Sequence, residues 1–374
     1  MRKKILVHGP VLSRSGYGVQ SRFALKSLKS REDIFDIYIR PTTWGQTGWI
    51  WEDDEFRDWI DSRISQTVHY IQNQGQFDLS LQVTIPNEWQ KMAVRNIGYT
   101  AGIETDRVSP AWIQKGNEMD KIITISKHSK NVYKNTVYNA KNNEGNHIQF
   151  NLNTPIEYVN YPIREFEESE IDMELEYDFN FLTISQWSTR KNLENTIKWF
   201  VEEFYDRKVG LVVKTSFRAN NWMDRRATID NLLSILTKYQ DRKCKVYLIH
   251  GDMTDEQMTY LYRHPKIKSY ISLAHGEGFG LSTFEAAYNG LPVIATNWSG
   301  HLDYLSHDEK DYFIPVDYQL QKIQQQAVWD GVLQEDSNWA YAEQGSYKMK
   351  LREAYRKQKK YSNQAKELQK ILIE

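Results

Sequence analysis

The sequence has almost no cysteine, since Cys244 is the only one in 374 residues. A single thiol cannot form an internal disulfide, which is typical of a reducing compartment. Long apolar runs are also lacking, because no stretch approaches the ~20 residues of a membrane span. The run Ile5-Leu6-Val7 near the start is far shorter than the core of a signal peptide. We therefore expect a cytoplasmic protein without a membrane span.

A charge excess of either sign is lacking as well. The chain carries 48 lysines and arginines against 49 aspartates and glutamates, a net charge of -1. This balance excludes binding to nucleic acid through overall charge and leaves room only for a local basic groove. Hydrophobic residues make up 40% of the chain and aromatic residues 13%. A length of 374 residues suggests about two domains.

Short apolar runs alternate with longer segments of helical period along the whole chain. The strand-like runs are 5–8, 79–84, 96–100, 121–126, 181–184, 209–215, 245–249, 270–273 and 292–296. Helical spacing occurs at 19–28, from 127 onward, and at 193–204, 228–239 and 254–262. This alternation predicts an α/β protein in which parallel sheets are wrapped by helices.

The alternation pauses between Glu165 and Asp178, where eight acidic residues and no strand signal indicate a solvated connection. The predicted domains are therefore 1–165 and 179–345, joined by an acidic linker at 166–178. A closing helical segment, 346–374, is predicted to pack an apolar stripe back toward the N-terminal domain. Its lysines are predicted to face solvent: Lys357, Lys359 and Lys360. Two doubly wound domains would face each other across a cleft, with ligands at the carboxyl ends of the strands.

The strongest local pattern runs from residue 276 to residue 286. Gly276, Gly278 and Gly280 allow a tight turn and leave backbone amides free for an anion at a helix start. Glu277 precedes that helix and Glu285 lies within it, and a carboxylate can accept hydrogen bonds from vicinal hydroxyls through both oxygens. Without further context, the same residues also fit a simple loop followed by an ordinary helix glutamate.

The longer stretch resembles the donor-site signature of family 4 of the glycosyltransferases over about 25 residues. The resemblance lies in Glu277, seven intervening residues and Glu285, followed by Gly290-Leu291-Pro292-Val293-Ile294-Ala295 and Ser299-Gly300. It implies the GT-B fold, two Rossmann-like domains of which the second holds most of a nucleotide sugar. It further implies that Glu277 contacts the sugar hydroxyls and Glu285 the ribose hydroxyls. The amides implied to meet the diphosphate are those near Gly278, Phe279, Gly280 and Leu281.

A second similarity to that family lies at Ser185 to Asn192. Gln186 stands where the family usually has arginine, while Lys191-Asn192 keeps the family's pattern. Lys191, with Arg190 beside it, is a candidate for stabilising the charge that develops on a leaving diphosphate. The alternative is a solvated basic pair that opens a helix, a place where the helix dipole disfavours cations.

Further candidates come from the first domain and from one later strand. The glycine-rich Gly16-Tyr17-Gly18, after the first strand, resembles the family's loop near the diphosphate and the reacting sugar. The alternative is a plain tight turn. Lys214, at the end of a strand, is a further candidate for a phosphate or sugar contact.

The acceptor side is less specific. Glu104 is the preferred candidate for an acid near the acceptor, and Asp106 is the second. A polar surface loop explains both residues nearly as well. His275 and His301 flank the donor motif, and packing explains them slightly better than chemistry.

The resemblance implies retaining transfer, with a nucleotide-diphosphate sugar as co-substrate, UDP-sugar by default, and no cofactor. The acceptor hydroxyl would attack from the face of the leaving group, whose phosphate could itself take the proton. The sequence has no cluster of cysteine and histidine residues and no Asp-x-Asp pair that would indicate a metal site.

Other stretches, such as Ile85-Pro86-Asn87-Glu88-Trp89, are similar to glycosyltransferases of tailed bacteriophages. This likeness favours a 5-hydroxymethylated pyrimidine in DNA as acceptor, and the host cytoplasm as location. A DNA groove would use exposed aromatics and the basic C-terminal segment. These aromatics are Trp44, Trp49, Trp51 and Trp89. They fit core residues equally well, and the basic segment fits a solvated helix. The alternatives are a glycan, lipid or protein acceptor, a non-catalytic sugar-nucleotide-binding module, and a phosphorylase. The oligomeric state does not follow from the sequence.

Overall fold

The computed structural model describes residues 2–44, 54–141 and 145–374. The chain divides into two units, each with its own sheet. Unit 1 comprises Met1–Pro162 and Val328–Ser337, and unit 2 comprises Ile163–Ala327 and Asn338–Glu374.

Unit 1 contains a six-stranded parallel sheet in the order β2-β1-β3-β4-β5-β8. Its elements are β1 Lys3–Gly9, α1 Gly16–Lys29, β2 Phe35–Pro41, α2 Glu55–Gln72, β3 Leu79–Gln82, β4 Arg95–Tyr99, α3 Pro110–Asn117, β5 Lys121–Thr124, α4 Lys127–Asn135, β6 Val137–Lys141, β7 His147–Asn151 and β8 Ile156–Tyr158. The strands β6 and β7 form a separate antiparallel pair. Because the order reverses beside β1, the loops after β1 and β3 meet at the edge where such sheets bind ligands.

Unit 2 contains a second six-stranded parallel sheet, in the order β11-β10-β9-β12-β13-β16. Its elements are β9 Asn180–Ile184, α5 Leu193–Glu203, β10 Gly210–Lys214, α6 Trp222–Leu236, β11 Lys245–Ile249, α7 Asp255–Arg263, β12 Ile267–Ser272, α8 Leu281–Tyr288, β13 Val293–Thr296, α9 Leu302–Leu305, β14 Ser306–His307, β15 Lys310–Asp311, β16 Ile314–Val316, β17 Tyr318–Lys322, β18 Asn338–Ala342, α10 Gln344–Arg356 and α11 Gln358–Ile373. In chain order this is the 3-2-1-4-5-6 arrangement of dinucleotide-binding sheets, and it reverses between β9 and β12. The predicted class, two parallel sheets wrapped by helices, is confirmed.

The central strands of both sheets are buried on both faces. In unit 1, Ile5, Leu6 and Val7 of β1 are all buried, and in unit 2 so are Phe181 and Leu182 of β9. Helices cover both faces of a parallel sheet, which is why such strands are continuously apolar and do not alternate with polar residues. The short apolar runs in the sequence therefore mark the middles of the sheets.

The predicted acidic linker belongs to unit 2, which begins at Ile163. All eight carboxylates from Glu165 to Asp178 are exposed, as expected of a solvated segment. The backbone nevertheless lies against the unit, because Lys266 Nζ donates to Leu175 O at 2.8 Å and Ser169 N donates to Glu256 O at 3.3 Å. Leu175 is itself buried. The segment is thus an extended edge of unit 2 whose side chains are solvated.

The closing helical segment is two helices, α10 and α11, that meet at Lys357. They belong to unit 2, where α10 packs against α5 and β16 and α11 packs against α8. The predicted packing toward the N-terminal domain stays a prediction. Leu351 and Leu368 are buried, as the apolar stripe indicates. The three predicted lysines are exposed.

One part of the division was not predicted from the sequence. Between β17 and β18 the chain leaves unit 2, and residues 328–337 belong to unit 1. There the Ser109 hydroxyl donates to Gly331 O at 2.7 Å, and Arg107 forms an ion pair with Asp336. The first unit also ends at Pro162, slightly earlier than the predicted boundary at 165. Among the described residues, no helix combines the length and the apolar character needed to cross a bilayer.

Candidate active site

The candidate site of unit 2 lies where its strand order reverses. The loop after β9 carries Arg190 and Lys191, and the loop after β12 carries Glu277. Because β9 and β12 are adjacent and parallel, both loops leave the sheet at the same edge. The sheet topology thus brings together candidates that are 86 residues apart in the sequence.

Arg190 and Lys191 lie in a 3₁₀ turn, Thr189–Lys191, that precedes α5. The turn ends at Asn192, whose φ of 52° is left-handed and redirects the chain into the helix. Lys191 Nζ and Arg190 Nη1 both contact the Glu277 carboxylate, the latter at 3.0 Å. Arg190 Nη1 also donates to Gly276 O at 2.9 Å. The pair is therefore held by the opposite loop and is not a solvated pair opening a helix.

Glu277 is the centre of this cluster and is only 6% exposed. Burial alone would raise the pKa of its carboxyl, but the charges of Lys191 and Arg190 outweigh burial and lower the pKa to about 2. Its backbone is fixed as well, because Glu277 N donates to Ser299 Oγ at 3.0 Å and Gly300 N donates to Glu277 O at 2.9 Å. The side chain is thus a carboxylate in a fixed position at neutral pH.

The glycine-rich turn gives access to the first amides of α8. Gly280 has a φ of 88° and immediately precedes the helix. A side chain on Gly300 would lie 2.0 Å from Gly278 O, so this close approach requires glycine. Phe279 packs its ring against Phe284 and Tyr304 at 5.1 and 4.8 Å, so what it offers a ligand is its backbone. The first amides of a helix, here from Leu281 onward, have no acceptor within the helix and favour an anion.

Glu285 lies in the second turn of α8 and is held by two side chains. Arg164 Nη2 lies 2.9 Å from Oε1, and the Tyr262 hydroxyl donates to Oε2 at 2.9 Å. Burial raises the pKa of Glu285, against the opposing charge of Arg164. Lys214 donates to Gly251 O at 3.2 Å, and its charge also acts on Glu285. Arg164 and Tyr262 were not predicted, because an arginine before an acidic run and a helix tyrosine carry no local signal.

The two flanking histidines pack against the protein. The His275 ring stacks on Trp339 at 5.0 Å and its Nδ1 lies 2.7 Å from Ala340 O. His301 is buried, with Nε2 2.7 Å from Thr296 O. Burial lowers the pKa of both imidazoles. The packing interpretation is therefore the better one for both.

The loop after β10 is held by a carboxylate that the sequence did not indicate. Asp224, on α6, accepts hydrogen bonds from Phe217 N, Arg218 N and Ala219 N at 2.6 to 3.0 Å. His250, at the end of β11, places its Nε2 2.8 Å from the same carboxylate. Burial would raise the pKa of Asp224, but these hydrogen bonds lower it to about 2. Asp224 thus orders the chain at the ligand-binding edge of the sheet.

Two buried carboxylates with lowered pKa values predict acid-sensitive stability. Asp224 and Glu277 each have a folded pKa of about 2, against ordinary values of 3.8 and 4.5. Since the folded pKa values are lowered, their contribution is present above about pH 4.5 and is lost as the pH falls toward 2. Each shift corresponds to about 2 to 3 kcal/mol.

We expect urea unfolding to show this loss between pH 4.5 and 2.5, and Asp224→Asn to reduce the pH dependence. Asp178→Asn, at a carboxylate that is 96% exposed, serves as the surface control. Equal pH dependence in the wild type and Asp224→Asn would contradict the assignment.

The glycine-rich loop of unit 1 begins α1 directly. Ser15 caps the helix by accepting from Gly18 N at 3.1 Å. Tyr17 is buried, with its hydroxyl 2.9 Å from Thr100 Oγ1 and its ring 4.5 Å from that of Trp44. Tyr17 therefore packs within unit 1, whereas a side chain on Gly16 would point into open space.

Alanine is expected to destabilise the fold at one of these glycines and to be tolerated at the other. A Cβ on Gly18 would lie 1.9 Å from Ser13 O, a backbone atom, whereas one on Gly16 meets nothing within 4 Å. We expect Gly18→Ala to lower the free energy of unfolding by about 3 kcal/mol or more. Gly16→Ala should stay within about 1 kcal/mol of the wild type. Urea denaturation compares the pair, and equal effects would show that Gly18 is not sterically required.

The acceptor-side candidates lie in the loop after β4. Glu104 is half-buried and its charge acts on Tyr17, whereas Asp106 is exposed. Of the two, Glu104 is therefore the better candidate for an acid near the acceptor. Trp89 is 1% exposed and its ring covers Gly98, so of the two interpretations left open for it, an exposed aromatic or a core residue, the core residue is confirmed. Trp49 and Trp51 lie outside the described residues, and Trp44 is half-buried.

A metal site has no support among the described residues, which contain no group of three or more histidine, cysteine or carboxylate side chains that could hold an ion. The binding groups that the site in unit 2 does offer are cations, carboxylates and backbone amides.

Comparison with known proteins gives a family match for part of the chain and similar folds for all of it. Residues 238–327, which contain Glu277 and Glu285, match the family model described as group 1 glycosyl transferases. A search of curated protein sequences found no match. Solved structures that resemble the whole chain include HepE from Anabaena in complex with UDP and glucose, at 12% identity and a TM-score of 0.60. They also include a sucrose-phosphate synthase from Thermosynechococcus elongatus, at 11% identity and a TM-score of 0.63. A third is the catalytic domain of starch synthase IV from Arabidopsis thaliana bound to ADP and acarbose, at 10% identity and a TM-score of 0.59. Each likeness covers 99% of this chain and 95% of the other.

These likenesses establish the GT-B fold, with one six-stranded parallel sheet in each unit. The segment that matches the group 1 glycosyl transferases, residues 238–327, lies within unit 2. The chain is thus an enzyme of the glycosyltransferase class.

Proposed function

We propose that this enzyme transfers a sugar from a nucleoside-diphosphate sugar to a hydroxyl group, and that unit 2 binds the donor. The observation that carries the proposal is the buried cluster of Glu277 with Lys191 and Arg190 at the strand-order reversal. It supplies a carboxylate for sugar hydroxyls and two cations for a diphosphate at one place.

The diphosphate end of the donor would lie at the first turn of α8. There the free amides from Leu281 onward meet Lys191 and Arg190 from the facing loop. When the bond between sugar and diphosphate breaks, negative charge grows on the departing phosphate, and prepositioned cations stabilise that charge more than they stabilise the bound donor. Lys191 and Arg190 would therefore act mainly on the rate of the chemical step.

The sugar and the ribose each have a carboxylate acceptor. Glu277, ionised at neutral pH because its pKa is about 2, would accept hydrogen bonds from the sugar hydroxyls. Glu285, one turn or more along α8, would accept them from the ribose hydroxyls. Lys214 and Gly16 to Gly18 would provide further donor contacts.

The stereochemical part of the proposal is retention of the anomeric configuration. The acceptor hydroxyl would attack from the face that the diphosphate leaves, and the leaving phosphate would take its proton. Glu104 is the proposed acid on the acceptor side. An NMR measurement of the product's anomeric coupling distinguishes retention from inversion.

UDP-sugar is the proposed donor. Anabaena HepE was solved with UDP and the Arabidopsis starch synthase with ADP, so an ADP-sugar is the alternative.

For the acceptor we propose a 5-hydroxymethylated pyrimidine in DNA, as in the phage enzymes that the sequence resembles. The support in the described residues is the exposed basic side chains where α10 meets α11: Lys357, Lys359 and Lys360. The burial of Trp89 removes part of the aromatic support for it. A surface glycan is the alternative acceptor, and the experiment below separates the two.

The test is mass spectrometry of the products formed from UDP- and ADP-sugars with hydroxymethylated DNA or simple glycans. We expect a mass increase of one sugar on one acceptor, with release of the nucleoside diphosphate. Transfer to a glycan alone, without salt-sensitive binding to DNA, contradicts the DNA proposal. Binding of a nucleotide without turnover on any acceptor would favour a non-catalytic module, and activity that requires free phosphate would favour a phosphorylase.

A further inference from the structure

Arg164 joins two helices at the donor site of unit 2. Its Nη1 lies 2.8 Å from Asp255 Oδ2 at the start of α7, and its Nη2 lies 2.9 Å from Glu285 Oε1 in α8. A guanidinium is planar and presents its donors in a rigid fork, so the contact with Asp255 fixes the direction from which Nη2 holds Oε1 of Glu285. The arginine comes from the segment before β9, outside every motif of the sequence.

The second oxygen of Glu285 has its own partner. The Tyr262 hydroxyl, from α7, donates to Oε2 at 2.9 Å. Each oxygen of a carboxylate has two lone pairs, so one protein partner on each oxygen leaves one acceptor site on each. The arrangement matches a pair of vicinal hydroxyls, with one hydroxyl for each oxygen.

We propose that Arg164 is a positioning residue of the donor site, which holds the Glu285 carboxylate so that each oxygen receives one hydroxyl of the donor's ribose. This inference rests on the function proposed above and extends it to a residue before the matched domain. It predicts that the enzyme distinguishes a ribonucleotide from a 2′-deoxyribonucleotide, and that the distinction depends on Arg164.

The charges around Glu285 determine how binding depends on pH. The titratable or charged side chains that act on Glu285 are Arg164, Lys214, Asp255, Tyr262, Tyr270 and Tyr288. Burial raises the pKa of Glu285, and Arg164 is the largest opposing influence. Without Arg164 the pKa would rise further, so the carboxylate would become protonated at a higher pH. In Arg164→Gln the loss of binding on acidification should therefore begin at a higher pH than in the wild type.

The experiment measures dissociation constants of the full chain by isothermal titration calorimetry, from pH 8 to pH 6. The ligands are UDP and 2′-deoxy-UDP, with ADP and 2′-deoxy-ADP as a second pair. The proteins are the wild type, Arg164→Gln, Arg164→Lys and a control, Arg352→Gln. Arg352 on α10 forms a comparable ion pair with Glu203, 3.3 Å apart, away from the site.

The wild type is expected to bind the ribonucleotide at least about tenfold more tightly than its deoxy analogue, since a hydrogen bond to a charged group is worth about 1.5 kcal/mol or more. Arg164→Gln should weaken ribonucleotide binding about tenfold, and more at pH 6 than at pH 8. It should weaken deoxynucleotide binding less, because only the 3′-hydroxyl contact is affected there, so that the discrimination becomes clearly smaller. Arg164→Lys should keep part of the discrimination, and Arg352→Gln all of it.

Full discrimination in Arg164→Gln, or an equal loss for both ligands, would overturn the positioning role. If Arg164→Gln does not fold, Arg164→Lys decides, because full discrimination in that variant would overturn the role as well. A wild type that binds neither UDP nor ADP would instead refute the proposed function itself. The two failures are therefore distinguishable.

Discussion

Glu277→Gln is expected to lower the turnover number of sugar transfer by about a thousandfold or more. The variant replaces the charged carboxylate, which accepts through both oxygens, with a neutral amide that accepts through only one, and it leaves Lys191 and Arg190 without their counter-charge. In the wild type both cations contact this carboxylate, which is 6% exposed. A loss of about 4 kcal/mol of transition-state stabilisation is typical when a charged group at the reacting centre is removed. Steady-state kinetics with the donor identified by mass spectrometry measures it.

The matched control is Glu203→Gln. Glu203 is also poorly exposed and ion-paired within unit 2, with Arg352. It should retain wild-type turnover, and circular dichroism should show both variants folded. Glu277→Gln with wild-type turnover would show that the buried cluster is structural and takes no part in the reaction.

Lys191→Met is expected to have the second large effect and to lower the turnover number by a factor of about 10² to 10³. Lys191 Nζ would lie beside the departing diphosphate, where negative charge grows only in the transition state. An interaction of this kind acts on the turnover number more than on the KM for the donor. Lys191→Arg keeps the charge and should recover part of the rate.

Lys348→Met provides the control for that variant. Lys348 has a similar exposure and forms an ion pair with Glu202 at 2.6 Å, on α10 and away from the site. It should leave both kinetic constants unchanged. A Lys191→Met enzyme with an unchanged turnover number and only a raised KM would mean that Lys191 binds the donor without stabilising the leaving group.

The sequence predicts the secondary structure that forms the sheets better than the order of the strands. Apolar runs such as 5–8 and 181–184 locate central strands because both faces of these strands are buried. The segments it misses are those with weak apolar patterning. For example, α2 buries only Ile60 and Thr67 over 18 residues. Strand order has no local signal, so the meeting of Glu277 with Lys191 follows only from the adjacency of β9 and β12.

The residues that support the candidate site escape prediction for a similar reason. Arg164 and Asp224 act through partners 121 and 26 residues away, Glu285 and His250. Their neighbours in the sequence resemble an acidic surface run and an ordinary helix start. The sequence leaves the burial of Trp89 open for a related reason. It follows a short turn, Pro86–Glu88, that resembles an exposed loop, but the missing side chain at Gly98 provides space for its ring.

A crystal structure of the enzyme with a nucleoside diphosphate and an unreactive sugar analogue would locate the donor directly. We expect the diphosphate between Lys191 and the first amides of α8, and the sugar hydroxyls on Glu277. The ribose hydroxyls should lie on Glu285, with one hydroxyl at each oxygen and Arg164 still in contact. A nucleotide bound in unit 2 away from Glu277 and Glu285, or bound in unit 1 alone, would contradict this assignment of the donor site.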